Sequence, residues 1–226
     1  MTIIEFDPAF VAAVEKENDR RLSLMAELTP DHWFHCHDTA THCRLVSKYA
    51  EELGEGFGSR PVDGSSRKVV DAELLRLAAM AHDWGKIEAW RPEGSPWFPG
   101  HEGISAEILE GMGAPDPLVR LVKYHGRCMT IDRFGDKAVK KLLTAIGSED
   151  DHFTFLLLLL SDCAGFSKGG MESGYEQATI FARKAGIYDC GQCTEEQLPT
   201  YIAVVAFVAQ LLEEQPWKNV KSQRKE

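Results

Sequence analysis

Cap residues recur along this chain just ahead of helix-period apolar patterns, and no stretch sustains the period-2 alternation of a strand. Asp7-Pro8, Thr29-Pro30 and Asp116-Pro117 each place a capping side chain before a first-turn proline. Asp71 precedes Ala-Glu-Leu-Leu, Ser148 precedes an acidic first turn, and Thr194 with Gln197 forms a capping box. The expected fold is therefore all-α. Helices are predicted near 7–28, 30–53, 71–84, 101–111, 116–125, 136–146, 149–163, 173–185 and 195–213. Glycine- and proline-rich loops are predicted at 54–70, 91–100 and 164–172.

A chain of 226 residues, 44% of them hydrophobic, suffices for one well-filled helical domain. The expectation is a single compact bundle of about eight or nine helices. Its core would span 30–166, with an N-terminal helix at 7–28, C-terminal helices at 173–213 packed on it, and a frayed tail at 218–226. No segment is apolar for long enough to span a bilayer, and the N-terminus lacks an export pattern, so the expected compartment is the cytoplasm, with no membrane partner. A net charge of −10 with no broad basic patch argues against a long nucleic acid. The cysteines at 36, 43, 128, 163, 190 and 193 are scattered, and reduced thiols are expected. Cys190-x-x-Cys193 lacks two further ligands nearby and reads as a surface turn.

The chemistry is carried by polar residues on otherwise apolar helix faces. At i, i+3, i+4 and i+7 spacing, His42 shares a face with Leu45, Val46, Tyr49, Ala50 and Leu53. His101 lies with Ile104, Ile108 and Leu109, His125 closes the face of Leu118, Leu121 and Val122, and Asp162 closes that of Phe155, Leu158 and Leu159. His82-Asp83 ends the helix Leu74–Ala81, which is apolar nearly all round and should be central. One buried histidine is ordinarily bonded to a carbonyl. Inward polar groups on five helices would be costly unless they satisfied one another, and a shared metal ion does that. Adjacent residues on a regular helix point about 100° apart, so His82 and Asp83 converge only if the helix ends there. Gly85 is expected to supply that end in a left-handed conformation.

These residues resemble the HD-domain superfamily of metal-dependent phosphohydrolases. The matching elements are His42 in THCRLVSKYAEEL, His82-Asp83 in LAAMAHDWGK and Asp162 in LLLLLSDCAG. FPGHEGISAEIL and VRLVKYHG are similar to the HD domain of bacterial tRNA nucleotidyltransferases, without that enzyme's catalytic half. The similarity runs from about residue 35 to 166. It implies His42, His82, Asp83 and Asp162 as ligands of a first metal. His101 and His125 match the extra histidines of the two-metal subgroup, in which Asp83 would bridge. The implied cofactor is one or two divalent transition metal ions (Fe, Mn, Ni, Co or Zn, with Mg also admissible). Lys86 would meet a substrate phosphate. The implied activity is hydrolysis of a phosphomonoester or phosphodiester, with Asp83 and Lys86 as the catalytic pair. The partner would be a small phosphorylated molecule such as a nucleotide, or an RNA end. Arg91 and Arg127 are candidate phosphate binders on loops. Glu102 is a candidate to orient a histidine, Trp97 and Phe98 are candidates for a lid, and His32, His35, His37 and His152 read as surface residues. Two alternatives stay open: an inositol-oxygenase-like di-iron oxygenase with the same ligands, and a non-catalytic nucleotide or metal sensor.

Overall fold

The computed structural model describes residues 4–28, 38–58, 69–91, 98–166, 168–189 and 194–214. Helices α1 (Pro8–Met25), α2 (Thr39–Phe57), α3 (Ala72–Ala81), α4 (Lys86–Ala89), α5 (His101–Gly111) and α6 (Asp116–Tyr124) come first. A 3-10 segment, η1 (His125–Arg133), follows, then α7 (Asp136–Ile146), α8 (Glu149–Ala164), α9 (Lys168–Lys184) and α10 (Leu198–Glu214). There is no strand among the described residues, and the architecture is an all-helical bundle. None of its helices is long and apolar enough to cross a membrane.

Several caps form as the sequence implies. Asp7 accepts from Ala9 N, Asp71 accepts from Leu74 N, and Ser148 with Asp151 forms a reciprocal box. Asp116 does not cap: it is the first residue of α6, behind Pro115. The Thr194–Gln197 box closes a turn ahead of α10 and starts no helix itself. Thr29-Pro30 lies outside the described residues. So do Cys190-x-x-Cys193, Cys36, His32, His35, His37 and Trp97.

The bundle is organised around α8. Every side chain from His152 to Ala164 is buried, and α8 packs against α2, α3, α7 and α9. Full burial of one such leucine contributes roughly 1.5–3 kcal/mol in transfer terms. The helix α3 is also interior: Leu74, Leu75, Leu77, Ala78, Ala79 and Ala81 are all buried. His152 is part of this interior too, 9% exposed with Nε2 at 2.8 Å from Leu143 O, which corrects its reading as a surface residue.

Helix reaches into two of the expected loops. The helix α2 continues through Gly54 to Phe57, and α9 begins at Lys168. Gly54 of α2 and Gly174 of α9 lie where another helix packs closely. A Cβ on Gly54 would lie 3.2 Å from Ala72 Cβ, and one on Gly174 would lie 2.3 Å from Cys163 Sγ.

Candidate metal centre

The break after α3 creates the site. His82 is the C-cap of α3, still right-handed, and residues 82–85 form turns before α4 starts at Lys86. Gly85 does not end α3 in a left-handed conformation: it is the residue that caps the start of α4, right-handed with φ −68°. It is small because α5 crosses directly over it. A Cβ there would sit 2.2 Å from His101 O and 2.9 Å from Ser105 N. The amide of Gly85 donates to Ser105 Oγ at 2.8 Å. The break turns His82 and Asp83 toward one point.

Asp83, 2% exposed, lies at the middle. Its Oδ2 is 3.5 Å from His42 Nε2 and 3.2 Å from His82 Nε2. Its Oδ1 is 3.0 Å from His101 Nε2 and 3.7 Å from His125 Nε2. Asp162 Oδ1 completes the first side, 3.0 Å from His42 Nε2 and 3.8 Å from His82 Nε2. All six groups proposed from sequence thus converge. Two of the resulting groups, His42-His82-Asp83 and Asp83-His101-His125, bring one donor atom per residue within 4.8 Å of each other.

Three imidazoles are oriented the same way. The Nδ1 of His82, His101 and His125 lies 2.8, 2.7 and 2.7 Å from the carbonyls of Ala79, Phe98 and Val122, each three residues earlier. A carbonyl only accepts, so each Nδ1 carries a proton and donates, and each Nε2, turned toward Asp83, is the nitrogen left to ligate in the neutral Nδ1–H tautomer. That is the tautomer a metal requires. The His42 ring stacks on Phe166 at 5.3 Å, and the chain reversal at Gly165 lies close against it.

The donor set fits a divalent cation. His82 Nε2 is buried without a directed hydrogen bond to any described residue, and Asp83 Oδ2 beside it is met by the Lys86 ammonium. Neutral imidazoles and carboxylates are suited to first-row divalent ions. In the metal-free site the carboxylates hold charge on part of this set: burial lowers the His125 pKa, but Asp83 and Asp162 outweigh it and raise it. Burial alone would raise the Asp83 pKa, but His82, Lys86, His101 and His125 outweigh it and hold the carboxyl well below its ordinary range. Burial pushes the His82 pKa down, favouring the neutral form that ligates.

Lys86 is buried, with Nζ 2.5 Å from Asp83 Oδ2 and 5.3 Å from the centre of the Phe98 ring. Burial lowers its pKa, but Asp83 more than compensates, so the ammonium stays charged. Phe98 is 6% exposed and packs on Trp90 at 5.5 Å, so it floors the lysine and is not a free lid. Glu102 Oε2 lies 3.5 Å from His101 Nδ1, but that nitrogen's proton is committed to Phe98 O. Arg91 is exposed and donates to Glu88 O and Trp90 O, its own helix end. Arg127 is exposed on η1 and makes no ion pair among the described residues.

Residues 39–151 match the family model described as the HD domain. This chain belongs to the HD domain family. That family is one of metal-dependent hydrolases of the phosphohydrolase superfamily. An uncharacterized protein of Methanocaldococcus jannaschii is 28% identical to this HD chain over 109 residues. That overlap is 48% of this chain and 53% of the relative, so the chain spans about half the length of the curated relative it matches. The matched HD segment contains His42, His82, Asp83, His101 and His125, and ends within the first turn of α8, ahead of Asp162.

Two residues that touch the HD turn were not singled out from sequence. Asn18 and Arg21 of α1 are buried and bond Trp84. The available signal was their register: with Val14 and Met25 they form the buried stripe of α1, where polar side chains need a partner.

Proposed function

We propose that this HD protein hydrolyses a phosphate ester of a small molecule, a nucleotide or an RNA end, at a site for two divalent ions that share Asp83. The supporting observation is the division of the Asp83 carboxylate, one oxygen toward His42 and His82 and the other toward His101 and His125. His42, His82, Asp83 and Asp162 would hold one ion, and Asp83, His101 and His125 the other. When bound, such ions supply a water of lowered pKa and positive charge opposite the phosphoryl oxygens. The protein supplies orientation and charge. Carbonyl-locked imidazoles hold their lone pairs inward, and Asp83 keeps the two halves in register. Lys86 brings a permanently charged ammonium to the same carboxylate, where a phosphoryl oxygen can take it up as charge develops. The net acidity of the chain favours a small substrate met by this local cation. Arg127, exposed two residues after His125, is the arginine proposed to hold a second phosphate or the leaving group, since Arg91 is engaged with Glu88 O and Trp90 O.

The test pairs elemental analysis of protein purified without added metal with turnover of bis-p-nitrophenyl phosphate and a nucleotide panel in Mn, Ni, Co, Mg or Fe. About two ions per chain are expected, with metal-dependent release of p-nitrophenol from the diester or of hydrolysis product from a nucleotide. A mixed-valent iron pair active only with oxygen would replace this reading with the oxygenase. Bound metal without turnover on any substrate would replace it with a sensor.

A further inference from the structure

The helix α1 precedes the segment that matches the HD model, yet it reaches the break that forms the site. Arg21 is 4% exposed and Asn18 is 7% exposed. Arg21 Nη1 donates to Trp84 O at 2.7 Å and to Glu88 Oε2 of α4 at 3.1 Å. Its Nε donates to Glu17 Oε1 at 2.7 Å, which sets the plane of the guanidinium. That plane lies against the Trp84 ring, with Cζ 5.7 Å from its centre. The indole Nε1 of Trp84 in turn donates to Asn18 Oδ1 at 3.2 Å. Trp84 is 1% exposed and follows Asp83 directly.

A helix that stops inside a core leaves carbonyls without their usual partners, and a buried carbonyl without a donor is strongly unfavourable. The break between α3 and α4 is such a stop. Arg21 meets the carbonyl it exposes at Trp84, and Asn18 fixes the side chain of the same residue. We propose that Asn18 and Arg21 are positioning residues for the metal site, holding the break so that the Asp83 carboxylate stays between the two imidazole pairs. The proposal rests on the metal-site reading above. It makes α1 part of the functional unit, acting through Trp84 and touching no ligand itself. The planar fork of arginine suits the task, because it fixes direction where a lysine would supply only charge.

A purely architectural role, tying α1 to the core, would leave metal binding unaffected. Arg76 provides the comparison. It sits on α3, pairs with Glu73 at 2.8 Å and with Glu15 of α1 at 2.9 Å, and so joins the same two helices without reaching the break.

The experiment is Co2+ titration of chelator-treated full-length protein, read by dissociation constant and by the visible ligand-field spectrum. Arg21→Met and Asn18→Leu are expected to weaken Co2+ binding by about tenfold or more and to shift the spectrum, as loss of supporting contacts does at metal sites. Arg21→Lys should recover part of the affinity. Arg76→Met should lower the melting temperature while leaving affinity and spectrum at wild-type values. Wild-type affinity and spectrum in both Arg21→Met and Asn18→Leu would overturn the proposal, as would an equal loss in Arg76→Met. If Arg21→Met does not fold, Asn18→Leu, which removes one neutral hydrogen bond, decides. Failure of the wild-type chain to take up cobalt would overturn the metal reading itself, whereas uptake with unaltered variants overturns this proposal alone.

Discussion

Replacing Gly165 by alanine puts a methyl group where the site has no space for one. The backbone at Gly165 is right-handed, φ −79° and ψ −5°, so alanine adopts it without dihedral strain and the effect is steric. The added carbon would lie 2.4 Å from His42 Nδ1, 2.8 Å from His42 Cε1 and 3.2 Å from Val46 Cγ2. Restoring a contact of about 3.5 Å requires the ring or the chain to move by roughly 1 Å. Phe166 is stacked on that ring, limiting its escape. Overpacking of this kind costs about 1–3 kcal/mol, which corresponds to a fall in melting temperature of roughly 2–10 °C for a chain of this size. Displacing a ligand by about 1 Å can also cost on the order of 100-fold in rate. The assay is thermal unfolding of metal-free protein together with metal content per chain. Of the two proposed ions, the one assigned to His42, His82, Asp83 and Asp162 should be lost preferentially. Gly111→Ala is the control, because a Cβ there meets nothing within 4 Å; in a helix it should stabilise by up to about 1 kcal/mol. A Gly165→Ala protein that matches wild type in both melting and metal content would refute the close approach of the α8 end to His42.

Asp83→Ala should abolish binding at both halves of the site, since each half includes this carboxylate, while far-UV circular dichroism stays largely helical; retention of full metal content would remove the shared-ligand assignment. In metal-free protein, burial raises the Asp162 pKa, but the hydrogen bond from His42 and the charges of His82, His42 and His125 outweigh it and hold the group at about 2, below its ordinary 3.8. A depressed carboxyl stabilises the fold above its unfolded pKa and loses that contribution as pH falls toward the folded value. The urea midpoint should therefore drop between about pH 4 and 2 and drop less in Asp162→Asn; equal slopes would refute the coupling. Burial pushes the thiols of Cys43, Cys128 and Cys163 upward, so all three should resist iodoacetamide at about pH 8 until the protein is denatured, as peptide mass mapping would show; rapid native labelling of any one would contradict its burial.

The converging histidines and aspartates were legible because helical periodicity is a strong signal. His42, His125 and Asp162 each occupy the apolar face of a helix, and a polar group there needs a partner wherever the helix lies. The glycines were less legible. Gly54 suggested a loop and Gly85 a left-handed end, but their role is to let another helix approach, and sequence does not reveal which helices cross. The 3-10 segment after His125 was missed because its single turns leave no long apolar period. The carbonyl partners of His82, His101 and His125 are local, three residues back, but they form only when each helix begins or ends at the right residue. The register of Asn18 and Arg21 with Val14 and Met25 marks them as buried, but their task needed the knowledge that α1 lies over the α3–α4 break, a tertiary fact.

The recognised segment ends just inside α8, and Asp162 lies beyond it, while Asn18 and Arg21 lie ahead of it. A graft of residues 39–151 into another scaffold would therefore carry five of the six candidate donors and leave the sixth to its host. It would also arrive without the brace that α1 lends to its central turn. What is inherited as a module and what operates as a module have different borders here, and chimeras built on the first set of borders should be inert.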